Sequence, residues 1–183
     1  MNNLEYLRNI GTAQERYREN LAKLGPDHLH TLLAHRDLAR FYMTTKRPDE
    51  AEAILVEVID RMKTRASGDP IRVFTIGLLK ECLTFRERTM PDSWLTFRCK
   101  SLLGGALLGQ KKYADAEALL LAGYEGMKKR AAKIPPQGKA NLTESVERLV
   151  QLYEANDKKD EAAKWRKELG SLPPVVKKPP TKP

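Results

Sequence analysis

A chain of 183 residues with 41% apolar and 31% charged residues can build one domain or a short helical array. No apolar run approaches the ~20 residues that span a bilayer, and the first twenty residues carry acids and lack the apolar stretch of a signal peptide. The two cysteines, Cys82 and Cys99, exclude a disulfide framework and predict reduced, buried thiols in a cytoplasmic setting; the formal charge of +9 would attract nucleic acid, anionic membrane or acidic proteins, but solvated helix faces and a lysine-rich tail are the readier explanation of it.

Taken in order, Ile10, Ala13, Tyr17, Leu21 and Leu24 recur at intervals of three and four, which predicts a helix over about 4–24, stopped by Gly25-Pro26. Asp27 is the expected N-cap of a second helix over 28–45, bearing Leu32, His35, Leu38, Ala39 and Tyr42. Pro48 opens a third over 48–66, with Ala51, Leu55 and Val58 on its inner face. Asp69-Pro70 starts a fourth over 70–88, and Met90-Pro91-Asp92 breaks the chain before a fifth over 93–108. A Gly-rich turn leads to a sixth over 113–132, and Ile134-Pro135-Pro136-Gln137-Gly138 forms a rigid connector. The last two helices are expected over 141–155 and 158–169, with Asp157 as N-cap and Gly170 as stop. Five prolines then predict a disordered, Pro/Lys-rich tail over 171–183, leaving 1–170 as the folded domain.

The pairs share a spacing. Leu103-Gly104, Leu107, Ala116, Leu120 and Tyr124 in Ser101–Tyr124 correspond to Leu38-Ala39, Tyr42, Ala51 and Leu55 earlier, and to Leu149-Val150, Tyr153, Ala162 and Leu169 later. Small residues at Gly104, Ala116 and Gly123 would let two helices approach closely. A hairpin of this kind needs stacked copies to bury its apolar face.

This pattern resembles the tetratricopeptide repeat, in the longer variant of about 42 residues found in kinesin light chains and many bacterial proteins, with Leu24-Gly25-Pro26-Asp27-His28 as its linker. The resemblance covers about residues 4–169. It implies an all-α, right-handed α-solenoid of antiparallel helix hairpins and a non-catalytic protein–protein interaction scaffold. The first helix then reads as the second half of a repeat, and the chain as the C-terminal part of a longer array. The step from Leu55 to Leu79 is much shorter than that from Leu79 to Leu120, so one first helix is missing. The helix at 70–88 is therefore expected to be unpaired, packed between two second helices. Ile71, Val73 and Phe74 offer the alternative that it serves as a makeshift first helix.

The resemblance also implies a groove lined by the first helices. Its positions are Leu33, Arg36, Arg40 and Met43, then Arg98, Ser101, Gly105 and Leu108, then Glu144, Glu147, Gln151 and Glu154. The partner-binding set drawn from these is Arg36, Arg40, Met43, Arg98, Ser101, Glu147 and Gln151, suited to a protein or peptide segment with an acidic end. Where peptide-clamping relatives carry Asn, this chain has Asp37, Leu102 and Arg148, which removes the backbone clamp. Ordinary solvated charges remain an equal reading of the same residues.

No cofactor, metal or catalytic set is indicated. His28, His30 and His35 have no partner cluster at ligand spacing, and Gly104-Gly105 and Gly109 lack the Lys-Ser/Thr of a phosphate loop. Two further functions stay open: dimerisation through the first and fourth helices, and electrostatic binding of nucleic acid by the lysine-rich end, which no aromatic-basic motif supports.

Overall fold

The computed structural model describes residues 3–61 and 69–172. The described residues form eight α-helices and two single 3-10 turns, with no strand. They are α1 (Asn3–Leu24), α2 (Leu29–Thr44), α3 (Pro48–Arg61), α4 (Pro70–Thr89), α5 (Trp94–Leu108), α6 (Tyr113–Lys128), α7 (Ala140–Ala155) and α8 (Lys159–Ser171). The fold is all-α, as the periodicity requires. Residues 62–66 of the expected third helix and most of the expected tail lie outside the described residues. The chain divides into two compact units, Met1–Thr89 and Met90–Pro183.

In the first unit α2 pairs with α3, while α1 packs on α2 and α4 packs on α3 and along the edge of α2. The core holds Leu32, Val58 and Ile71, with Leu33 and Ile54 packed against them. In the second unit α5 pairs with α6 and α7 with α8, and α7 touches both α6 and α5. Thus α4 has the same kind of neighbours as α7, a preceding second helix and a preceding first helix. It occupies a first-helix place without a second helix of its own inside its unit. Of the two readings of this unpaired helix, the makeshift first helix describes its packing.

The repeated alanines mark the closest packing. Ala51 and Ala116 are 0% exposed and Ala162 is 1% exposed, each one turn into a second helix. The α5–α6 pair is tightest because it carries glycines. A Cβ on Gly123 would stand 2.7 Å from the Ser101 nitrogen and 2.8 Å from the Phe97 carbonyl oxygen. One on Gly104 would stand 2.7 Å from Leu120. Each first-to-second turn closes the same way, with one residue in the left-handed region. These residues are Lys46 (φ 59°), Lys111 (φ 59°) and Asp157 (φ 54°). The amide that follows reaches back five residues, from Arg47 to Tyr42, Lys112 to Leu107 and Lys158 to Tyr153, which satisfies carbonyls that the helix end would strand.

Several ends differ from expectation. The N-cap of α2 is His28, whose Nδ1 accepts from the His30 amide at 3.2 Å. Asp27 is drawn instead to Arg61, 3.2 Å away. Asp157 sits in the left-handed turn and cannot cap α8, whose N-cap position is Lys158, without a side-chain bond. α6 stops at Lys128, and the chain tightens into a 3-10 turn at Ala131–Lys133. Gly170 does not end α8, which continues to Ser171.

Candidate functional site

In the first unit the implied groove positions lie on α2. Arg36 and Arg40 are one turn apart, and with Ala13, Asp37, Phe41 and Thr44 they line an open cleft of about 440 Å³ at the α1–α2 seam. Asp37 accepts from Arg36 Nη2 at 2.7 Å and from Nε at 3.2 Å. The Arg36 guanidinium lies over the Phe74 ring of α4, 4.7 Å from its centroid. That stack fixes a side chain that would otherwise sample many rotamers. Arg40 is exposed, with no hydrogen bond or ion pair among the described residues. Met43 is half-buried.

In the second unit Ser101 is fully buried, and its hydroxyl accepts from Arg148 Nη1 at 3.3 Å. Arg148 reaches from α7 across α5 over Gly105, where an added Cβ would lie 2.9 Å from its Cδ. Its Nη2 donates to Glu144 at 3.3 Å. Ser101 is therefore a support for the Arg148 side chain, and the guanidinium takes its place at the surface. Arg98 and Glu147 are half-buried and Gln151 is exposed. Glu154 pairs with Arg166 of α8.

The histidines belong to the scaffold. His35 is buried and stacked on Tyr17 of α1, with ring centroids 3.9 Å apart and planes at 16°. Burial lowers its pKa; Glu57 opposes the shift and Arg61 adds to it. In the second unit Glu117 of α6 accepts from the Tyr153 hydroxyl of α7 at 2.9 Å and from Lys158 at 3.2 Å. Those bonds hold its carboxyl low, while burial and the carboxylate raise the Tyr153 phenol to about 12. Glu168 of α8 likewise accepts from Tyr124 and Lys128 of α6, with Trp165 edge-on to Tyr124.

The sequence reading missed three contributors, Arg148, Phe74 and the buried Arg86. Arg148 is legible in the sequence as a departure from Asn, and a long cation opposite Gly105 is a detectable pairing. Phe74 was legible as an apolar residue off the main buried stripe of α4. Arg86 had no signal, because a charge at helix spacing reads as a solvated face.

No family model matches the chain, and no curated protein matches it. Among solved structures, the crystal structure of a Podosopora anserina putative kinesin light chain with nearly identical TPR-like repeats matches with 18% identity and a TM-score of 0.44. A variant of that protein matches with 19% identity and the same TM-score, and each alignment covers 92% of this chain and 87% of the other. Both of these structures are TPR-like helical repeats.

Proposed function

We propose that the chain is a non-catalytic protein-interaction scaffold whose first unit receives an acidic segment of a partner along α2. The observation that carries this reading is the pairing of Arg36, held in place by Phe74 and Asp37, with the exposed Arg40, which has no ion pair among the described residues, beside an open cleft. Guanidinium groups one helical turn apart match carboxylates on an extended segment, and a preordered arginine loses less freedom on binding. Arg98, Glu147 and Gln151 are assigned to the same role on the second unit, where Arg148 joins them. No helix among the described residues is long and apolar enough to cross a membrane. We assign the scaffold to the cytoplasm, where its two buried cysteines would stay reduced.

The test is affinity capture from nuclease-treated lysate, comparing the wild type with an Arg36→Glu/Arg40→Glu/Arg98→Glu variant. The expected result is a protein retained by the wild type and lost by the variant. Equal recovery by both would contradict the assignment.

A further inference from the structure

The second unit has a cleft of about 310 Å³ on the seam between α6 and α8, its two second helices. The floor is aromatic. Trp165 of α8 is half-buried and stands edge-on to the buried Tyr124 of α6, with ring centroids 5.3 Å apart and planes at 88°. The rim is acidic, with Glu125 from α6 and Glu161 and Glu168 from α8. Both rim lysines are already engaged, Lys128 with Glu168 at 2.8 Å and Lys164 with Glu161 at 2.7 Å. Glu125 is exposed and has no ion pair among the described residues. On α8 the cleft residues Glu161, Lys164, Trp165 and Glu168 form one stripe, at intervals of three and four. The next position on that stripe is Leu172, where the backbone leaves the helix extended, with φ −94° and ψ 151°. The eleven residues beyond it, 173–183, hold five prolines, three lysines and no acid.

We propose that the chain's own segment 173–183 docks in this cleft, its prolines against Trp165 and its lysines against the acidic rim. Proline-rich segments suit aromatic-lined grooves, because their extended helix is preformed and loses little freedom on binding. Charge complements the shape: Lys177, Lys178 and Lys182 face a rim of Glu125, Glu161 and Glu168. The Glu161–Lys164 pair lies at the surface, where such a pair contributes little, so Glu161 can exchange one lysine for another. Length permits the return. At ~3.1 Å per residue, residues 177–183 span roughly 22 Å. The helix between Leu172 and Glu161 measures only about 17 Å at ~1.5 Å per residue. Tethering at Leu172, on the cleft's own stripe, gives this segment a higher effective concentration than any free one. The site shares no helix with the Arg36–Arg40 cleft and stands independently of it.

The test is nitrogen-15 NMR of the full chain, following the Trp165 indole N–H and the Glu125 amide. Two variants change only the segment, Lys177→Ser/Lys178→Ser/Lys182→Ser and Pro179→Gly/Pro180→Gly. Their substitutions lie beyond α8, so a moved signal does not come from a helix that fails to fold. Both should shift the two resonances in the direction seen when the chain is ended at Leu172. A synthetic peptide of residues 171–183 added to that shortened chain should restore them. Glu125→Lys should weaken the peptide about fivefold. Identical Trp165 and Glu125 signals in the full chain and both variants would overturn the proposal. A peptide that moves only resonances outside the cleft would overturn it as well. A Trp165 shift that depends on protein concentration would place the segment on a second copy and overturn the intramolecular docking.

Discussion

Arg86 of α4 and Glu52 of α3 form a fully buried ion pair, with Arg86 Nε 3.0 Å from a Glu52 carboxylate oxygen and both side chains 0% exposed. Asp49, at the exposed start of α3, pairs with the same guanidinium. Burial alone would push the arginine toward its neutral form, but the two carboxylates more than offset this and raise its pKa. The pair fixes α4 on α3, the contact that places α4 as a first helix. Arg86→Met would take from the buried Glu52 carboxylate the guanidinium that neutralises it and should destabilise the first unit by about 3 kcal/mol. Glu52→Leu combined with Arg86→Met should recover most of that loss, to within about 1 kcal/mol of the wild type. Urea unfolding of the three proteins measures both quantities. A double variant as unstable as the single one would show that the pair contributes shape rather than charge.

Lys46 and Lys111 hold the left-handed conformation that glycine adopts freely. Lys46→Gly and Lys111→Gly should each raise stability by about 0.5–1 kcal/mol, read as a higher melting temperature. Asp157→Gly should gain less, because aspartate tolerates this region better than lysine. A drop in melting temperature for Lys111→Gly would mean that its side chain contributes more than its backbone strain removes.

The α5–α6 contact should be intolerant of a single methyl group. A Cβ on Gly126 would fall 1.9 Å from the Phe97 ring, and one on Gly123 would meet backbone atoms. Gly123→Ala is expected to lose about 2 kcal/mol or more, since backbone cannot yield as a side chain does. Gly11→Ala, where a Cβ would meet no neighbour within 4 Å among the described residues, should instead gain about 0.5–1 kcal/mol. Thermal denaturation of the two variants should move in opposite directions.

Acid should loosen the docking of α1. His35 has a folded pKa below its unfolded value of about 6.5, so the unfolded chain takes up the extra proton first. Its contribution is present in full above that value and is lost as the pH falls toward the depressed folded one. The groups that bear on it are Tyr17 from α1 and Glu57 and Arg61 from α3. Between pH 7.5 and 5.5 the urea midpoint should fall for the wild type and change less for His35→Phe. A pH profile unaltered by the substitution would remove His35 from the account.

Much of the helical framework could be read from apolar spacing, because a helix that buries one face must repeat at three and four residues. Tyr42, Ala51, Leu103 and Ala116 are buried where their spacing puts them. Helix ends were harder to read, since a cap is decided by competition. Asp27 has the right chemistry for a cap, yet the Arg61 side chain 34 residues later claims it. The same holds for the site. Arg36 and Arg40 could be placed on one face from their interval, but the Phe74 ring that holds Arg36 comes from a different helix. Local pattern cannot reveal which exposed cation an aromatic from elsewhere will hold. Nor could it reveal that Ser101 faces inward to accept Arg148.

The most direct measurement of the central claim is site-specific photo-crosslinking in lysate, with the crosslinking side chain placed at Thr44 beside the Arg36–Arg40 cleft or at the exposed Ala53 of α3. The account predicts one protein band captured from position 44, absent from position 53, and lost when Arg36→Glu and Arg40→Glu are added. Capture of the same band from both positions, or its persistence in the charge-reversed chain, would contradict it.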